Sequence, residues 1–140
     1  MNRAKIILNF LEKKYGKYID SSRLANQEIF ELLIGTILSQ RTRDENTERA
    51  AERLFKVART PQKIAELPTR KLQSLIRISG PYRQKAKKIK RTTKTILEKY
   101  KGKVPNKRED LMSLYGVGYK TADIVRFMLT SLSISRRSNV

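Results

Sequence analysis

The 140 residues suffice for one compact domain with a core, but not comfortably for two, and a hydrophobic share of 39% argues against wholesale disorder. Lys and Arg outnumber Asp and Glu by 32 to 13, giving a net charge of +19, so much of the surface is cationic and its natural partner is a polyanion. Cysteine and histidine are both absent, which excludes disulfides, thiol chemistry, Cys/His zinc sites, Cys-ligated iron–sulfur clusters and histidine as a general base.

The longest apolar stretch, residues 29–38, is interrupted by Glu31 and falls short of the ~20 residues a membrane span requires. The opening Met1-Asn2-Arg3-Ala4-Lys5 lacks the apolar core of a secretory signal. A cytoplasmic, nucleoid-associated location is therefore expected. Membrane binding would need cations opposite an exposed apolar stripe. The helices of this chain need their stripes for a core, which makes nucleic acid the favoured partner.

The periodicity is helical nearly throughout, with no convincing strand. Ile6, Ile7, Phe10 and Leu11 place an apolar stripe on a first helix that ends near Gly16. Asn26 is the expected cap of a second helix running from Gln27 to about Gln40. Its apolar residues (Ile29, Phe30, Leu32, Leu33, Ile34, Ile37, Leu38) surround it almost completely, which predicts a buried central helix. Asp44 is expected to cap a third, with Ala50, Ala51, Leu54 and Phe55 inward. Thr60-Pro61 opens a short helix to Leu67. Pro68-Thr69 opens another, carrying Leu72, Leu75, Ile76 and Ile78, which Gly80-Pro81 stops.

A long helix follows from about Arg83 to Tyr100, with Ala86, Ile89, Thr93, Ile96, Leu97 and Tyr100 inward. Lys85, Lys87, Lys88, Lys90, Arg91 and Lys94 are expected mostly outside that face. Gly102 ends it. Asn106 with Glu109 has the spacing of a capping box for a helix to Tyr115, and a final helix is predicted from Tyr119 to Leu129. The expected fold is all-α, a single bundle over residues 1–130, with an irregular basic, serine-rich tail over 131–140.

Between the last two helices stands Leu114-Tyr115-Gly116-Val117-Gly118-Tyr119-Lys120-Thr121-Ala122. Two glycines around one apolar residue suit a tight hairpin, because glycine tolerates positive φ and leaves backbone amides uncovered. Val117 is expected to point back and pin the hairpin to the core. The following helix begins at once, so its free amides and positive dipole end face the same spot, an arrangement that holds a phosphate. An ordinary turn between antiparallel helices is the alternative. Lys-Thr-Ala at the helix start, in so basic a chain, favours phosphate.

These residues resemble the helix–hairpin–helix of the endonuclease III family of DNA glycosylases. Other segments follow in that family's order. Phe30-Glu31-Leu32-Leu33-Ile34 through Leu38-Ser39-Gln40-Arg41-Thr42-Arg43-Asp44 resembles its buried helix and the next loop. Gly80-Pro81-Tyr82-Arg83-Gln84-Lys85-Ala86 resembles the turn into its long basic helix, and Lys103-Val104-Pro105 the lead-in to the hairpin. The resemblance implies the six-helix barrel half of such an enzyme, with the helix–hairpin–helix near 106–129.

It also implies base-excision repair of duplex DNA, damaged or abasic: removal of oxidised pyrimidines, then strand cleavage at the abasic site. Lys120 would be the nucleophile that attacks the sugar C1′ and forms a Schiff base. A free lysine has a pKa of ~10.4, and partial burial with nearby cations would lower it. Gly116, Val117, Gly118 and Thr121 would hold DNA. Gln40 and Arg41 would fill the gap left by the flipped base, or else merely end a helix. Tyr82 could stack on a base or finish a core edge, and the run from Lys85 to Lys94 would add diffuse attraction to DNA.

The pattern departs from the family in three places. Arg41 stands where Gln is usual, and Tyr115 where Pro is usual. After Val125 the Val-Asp-Thr-His-like segment, whose aspartate assists the lysine, and the four-cysteine iron–sulfur module do not follow. The expectation is a truncated or frameshifted product without metal or cofactor ligands, with impaired chemistry. Asp123 is expected to pair with Lys120 or face water rather than replace that aspartate. The N-terminal stripe is expected to be partly exposed or buried by a second copy of the chain. The competing reading is a non-catalytic helix–hairpin–helix module that holds DNA.

Overall fold

The computed structural model describes residues 23–127. The stripe of Ile6, Ile7, Phe10 and Leu11, with the self-association expected of it, and the serine-rich tail lie outside the described residues. Seven helices and one short 3₁₀ turn make up the described chain, and no strand occurs among the described residues. They are α1 (Arg23–Leu38), α2 (Asp44–Val57), α3 (Pro61–Glu66), α4 (Thr69–Ile76), the 3₁₀ turn Arg77–Ser79, α5 (Tyr82–Lys99), α6 (Arg108–Met112) and α7 over residues 119–127.

α1 is the core, as its pattern requires. Phe30, Leu32, Leu33, Ile34, Ile37 and Leu38 are all buried. α2 lies against α1, α4 and the 3₁₀ turn, while α5 packs on α1, α3, α4 and that same turn. Inward residues of α2 (Ala50, Ala51, Leu54, Phe55) and of α5 (Ala86, Ile89, Ile96) complete one continuous apolar cluster. It reaches Leu111, Leu114, Val117, Ala122 and Val125 at the C-terminal end. Glu31, fully buried on α1, is offset by Arg59 at 3.4 Å.

Local capping is only partly where the sequence suggested. Thr60 caps α3 as expected, its Oγ1 accepting from the Lys63 amide at 3.2 Å. Asn26 instead lies inside α1, which is already helical at Arg23. Burial of α1 outweighs the capping preference of one asparagine. Asp44 is the first helical residue rather than a cap. With Glu45 it sits in the first turn of α2, where a carboxylate meets the positive dipole end.

The expected capping box of Asn106 and Glu109 does not form. Lys107, with extended backbone, precedes the helix, and Glu109 and Asp110 occupy its first turn. α6 also ends at Met112 rather than Tyr115. Ser113 takes its last carbonyls: the amide donates to Glu109 O and the hydroxyl to Asp110 O at 2.6 Å.

A larger correction concerns the lysines of α5. Lys85 is not on the outer face but only 1% exposed. Its ammonium donates to Leu38 O, at the end of α1, at 2.7 Å, and to Ser79 O, at the end of the 3₁₀ turn. Carbonyls at helix ends have no partner within the helix, and a cation there also meets the negative dipole end. Lys90 does the same for α3, donating to Ile64 O and Ala65 O at 3.0 Å and to Leu67 O. Partial burial holds the Lys90 ammonium below the usual lysine range. The basic run therefore serves the interior as well as the surface.

Replacing Lys85 by Met keeps the stem but strands two buried carbonyls. Urea denaturation of Lys85→Met should show a stability loss of about 2–4 kcal/mol at unchanged m-value, as expected when charge-assisted hydrogen bonds inside a protein are removed.

Candidate nucleic-acid interface

Leu114 and Val117, both buried, anchor the two sides of the hairpin, and the Val117 amide donates to Leu114 O at 3.1 Å. The inward valine expected from the sequence is thus found. Thr92 of α5, wholly buried, holds the hairpin from below by donating its hydroxyl to Tyr115 O. α7 starts directly after Gly118, whose carbonyl accepts from the Ala122 amide at 2.9 Å. The amides of the first turn have no carbonyl behind them within the helix, and they sit at its positive end.

The two hairpin glycines do different things. Gly116 adopts φ +79°, and a Cβ there would lie 2.6 Å from Lys88 Cγ and 2.9 Å from Lys88 Cβ. It is glycine because of backbone conformation and close packing against α5. Gly118 does not use positive φ, contrary to the expectation for both, and nothing lies within 4 Å of its would-be Cβ. The bare backbone at Gly118 faces open space, so no packing within the described fold demands glycine there.

Lys120 and Tyr119 are exposed beside this opening, and Thr121 is buried. The partial burial expected for Lys120 is therefore not supplied by the described residues. Asp123 does not turn to Lys120. Its carboxylate pairs with Arg108 of α6 at 3.0 Å, a bridge with both side chains about half exposed. Arg91 stacks over the Tyr115 ring at 4.5 Å, placing a further cation beside the hairpin.

Gln40 and Arg41 separate in role. Arg41 is exposed and takes φ +54°, uncommon for a residue with a side chain. Gln40 is half-buried, and its amide is held between Thr121 and Lys88 at 3.2 and 3.1 Å. Thr92, Lys88 and Arg91 were not singled out as hairpin supports from the sequence. In a basic run every lysine looks alike, and nothing local marks which one meets the hairpin. Tyr82 is half-buried at the core edge, with the guanidinium groups of Arg77 and Arg83 5.9 and 5.7 Å from its ring centre.

The donor chemistry for the family's iron–sulfur cluster is missing. The sequence holds no cysteine or histidine, and among the described residues no three carboxylates gather where a metal could bind. This chain supplies no ligand set for such a cluster. Among the described residues no helix is long and apolar enough to cross a membrane.

An all-α bundle with a glycine hairpin between its last two helices, Lys120 exposed beside it and Arg91 over the Tyr115 ring, has the form of a helix–hairpin–helix protein. The profile of the HhH-GPD superfamily base excision DNA repair proteins matches residues 34–133, and the chain belongs to that superfamily. It is 54% identical over 96 residues to endonuclease III of Thermotoga maritima, covering 69% of this chain and 45% of that protein. With endonuclease III of Escherichia coli it shares 34% over 125 residues, covering 89% and 59%. The chain thus spans about half the length of the curated relatives it matches.

Among solved structures it resembles a trapped endonuclease III–DNA covalent intermediate, with TM-score 0.71 and 31% identity, covering 94% of this chain and 62% of that one. A thermostable thymine-DNA glycosylase has the same fold, with TM-score 0.70 at 20% identity over 92% of this chain and 60% of that one.

The glycines should separate by measurement. Gly116→Ala should lower stability by about 1–3 kcal/mol through positive φ and the clash with the Lys88 stem. Gly118→Ala should leave the thermal midpoint unchanged or raise stability by up to about 1 kcal/mol. Calorimetry of the two variants checks both.

Proposed function

We propose that this chain acts in DNA base-excision repair, gripping duplex DNA by phosphates at the 114–122 hairpin and attacking abasic sugars with Lys120. The observation that carries the reading is Gly118: an uncovered backbone at a helix N-terminus, facing open space, with Lys120 exposed two residues on. Membership of a base-excision repair superfamily and the likeness to a covalent endonuclease III–DNA complex support it.

The proposed chemistry uses the ring-opened abasic aldehyde. The neutral Lys120 amine adds to C1′, the carbinolamine loses water, and a Schiff base joins enzyme and sugar. Borohydride then delivers hydride to the imine carbon and makes the link permanent. Release of an intact oxidised pyrimidine is harder, because positive charge develops on the sugar and a carboxylate is needed to stabilise it. Asp123, the acid nearest Lys120 in sequence, is engaged by Arg108. That pairing favours trapping without efficient base release, and it keeps a non-catalytic DNA-holding module as the second reading.

Three outcomes follow. Duplex binding should weaken with salt at a log–log slope of roughly −4 to −5 if about five phosphate contacts form. Gly118→Val should weaken binding about tenfold or more by obstructing charge-assisted amide–phosphate hydrogen bonds, while leaving every charge in place. Lys120→Ala should abolish borohydride trapping on abasic DNA. Salt-independent binding would remove the phosphate reading. Equal trapping by Lys120→Ala would leave the second reading standing.

A further inference from the structure

The loop carrying Arg41 and the helix carrying Lys120 are far apart in the chain, yet one side chain joins them. Gln40 Nε2 donates to Thr121 Oγ1 at 3.2 Å, and Gln40 Oε1 accepts from Lys88 Nζ at 3.1 Å. The sense of the amide follows from the donors. An ammonium can only donate, so the carbonyl oxygen must face Lys88 and the NH₂ must face Thr121. Lys88 is itself fixed, since its stem lies directly against Gly116. Loop, α5 and the first turn of α7 thus meet at one amide, and the Lys88 stem carries the contact on to the hairpin.

The same loop is under constraint elsewhere. Arg41 holds φ +54°, and its carbonyl lies 3.1 Å from where a Cβ of Gly80 would stand. A non-glycine residue keeps such a conformation only when its surroundings enforce it. Lys85 holds Leu38 O on the N-terminal side of the loop, and Gln40 supplies the hold next to Arg41 itself.

We infer that Gln40 is a positioning residue: it latches the Arg41 loop to the start of α7, so that Arg41 and Lys120 meet DNA in one set relation. Gln40 then acts through Thr121 and Lys88, and Arg41 alone of the pair is free to reach outward. This inference rests on the reaction proposed for Lys120, and its test separates the two.

Parent, Gln40→Ala, Thr121→Val, Thr121→Ser and the Gln40→Ala/Thr121→Val double variant are compared on abasic duplex DNA. The single-turnover trapping rate at saturating DNA is measured apart from the dissociation constant. Gln40→Ala and Thr121→Val should each slow trapping about two- to tenfold, the range for one lost hydrogen bond, with affinity changed less than the rate. The double variant should be no slower than the slower single, and Thr121→Ser should restore the rate. Unchanged rates, strictly additive losses, or equal losses of rate and affinity would overturn the latch.

Amide exchange at Ala122, whose N–H bonds Gly118 O, gives a readout that needs no chemistry. It should quicken in Gln40→Ala and Thr121→Val, while the Ile89 amide of α5 exchanges as in the parent. A parent that never traps refutes the reaction at Lys120 and leaves the exchange to decide the latch. Unaltered Ala122 exchange in both variants refutes the latch whatever the parent does.

Discussion

An ammonium group drawn into a protein interior must find acceptors, and Lys85 finds them at the ends of two elements. Leu38 O closes α1, and Ser79 O closes the 3₁₀ turn before α5. The carbonyls need a donor and the ammonium needs acceptors, so each answers a cost that burial imposes on the other. From Phe30 to Leu38 every residue of α1 is buried, so the helix ends in the interior. Lys85 thereby fixes the point where the chain leaves α1 toward Gln40 and Arg41. Farther along α5, Lys90 closes α3 and Lys88 reaches the loop and the hairpin.

α5 consequently serves as the frame for the whole site. Thr92 carries the backbone of Tyr115, the Lys88 stem fills the space against Gly116, and Arg91 covers the Tyr115 ring. Each comes from the turn of α5 beneath the hairpin, so the hairpin is held at its base and bare at Gly118. Such a division fits the phosphate grip proposed for the hairpin, since donors already in place need no ordering when a ligand arrives. The chain carries its charge in two ways. Some cations stabilise helix ends within the fold, and the exposed remainder sets the field around it.

The chemistry on offer is narrower than the family likeness suggests. No thiolate exists to bind iron and no imidazole to move a proton, and the carboxylate nearest Lys120 in sequence is tied to Arg108. What is left beside the hairpin is an exposed amine and a set of positioned dipoles. The reading proposed for the hairpin and its lysine, recognition of a phosphate-flanked sugar, draws on these groups alone.

The sequence by itself determined the all-α class, the central place of the Phe30 to Leu38 segment, the inward turn of Val117 and the Thr60 cap. These are local facts: an apolar period, a glycine pair and a hydroxyl before proline act over one or two turns of chain. It misassigned Asn26, Asp44 and Asn106 as caps, because tertiary burial and dipole placement override a single side-chain preference. Only the tertiary structure decided that Lys85 lies inside, that Gly116 and Gly118 are glycine for different reasons, that Asp123 faces Arg108, and that Gln40 joins Lys88 to Thr121. In those cases the partner is 6 to 81 residues away. A hydrogen bond or a close approach over that span is set by how helices pack, and no pattern within one helix records it.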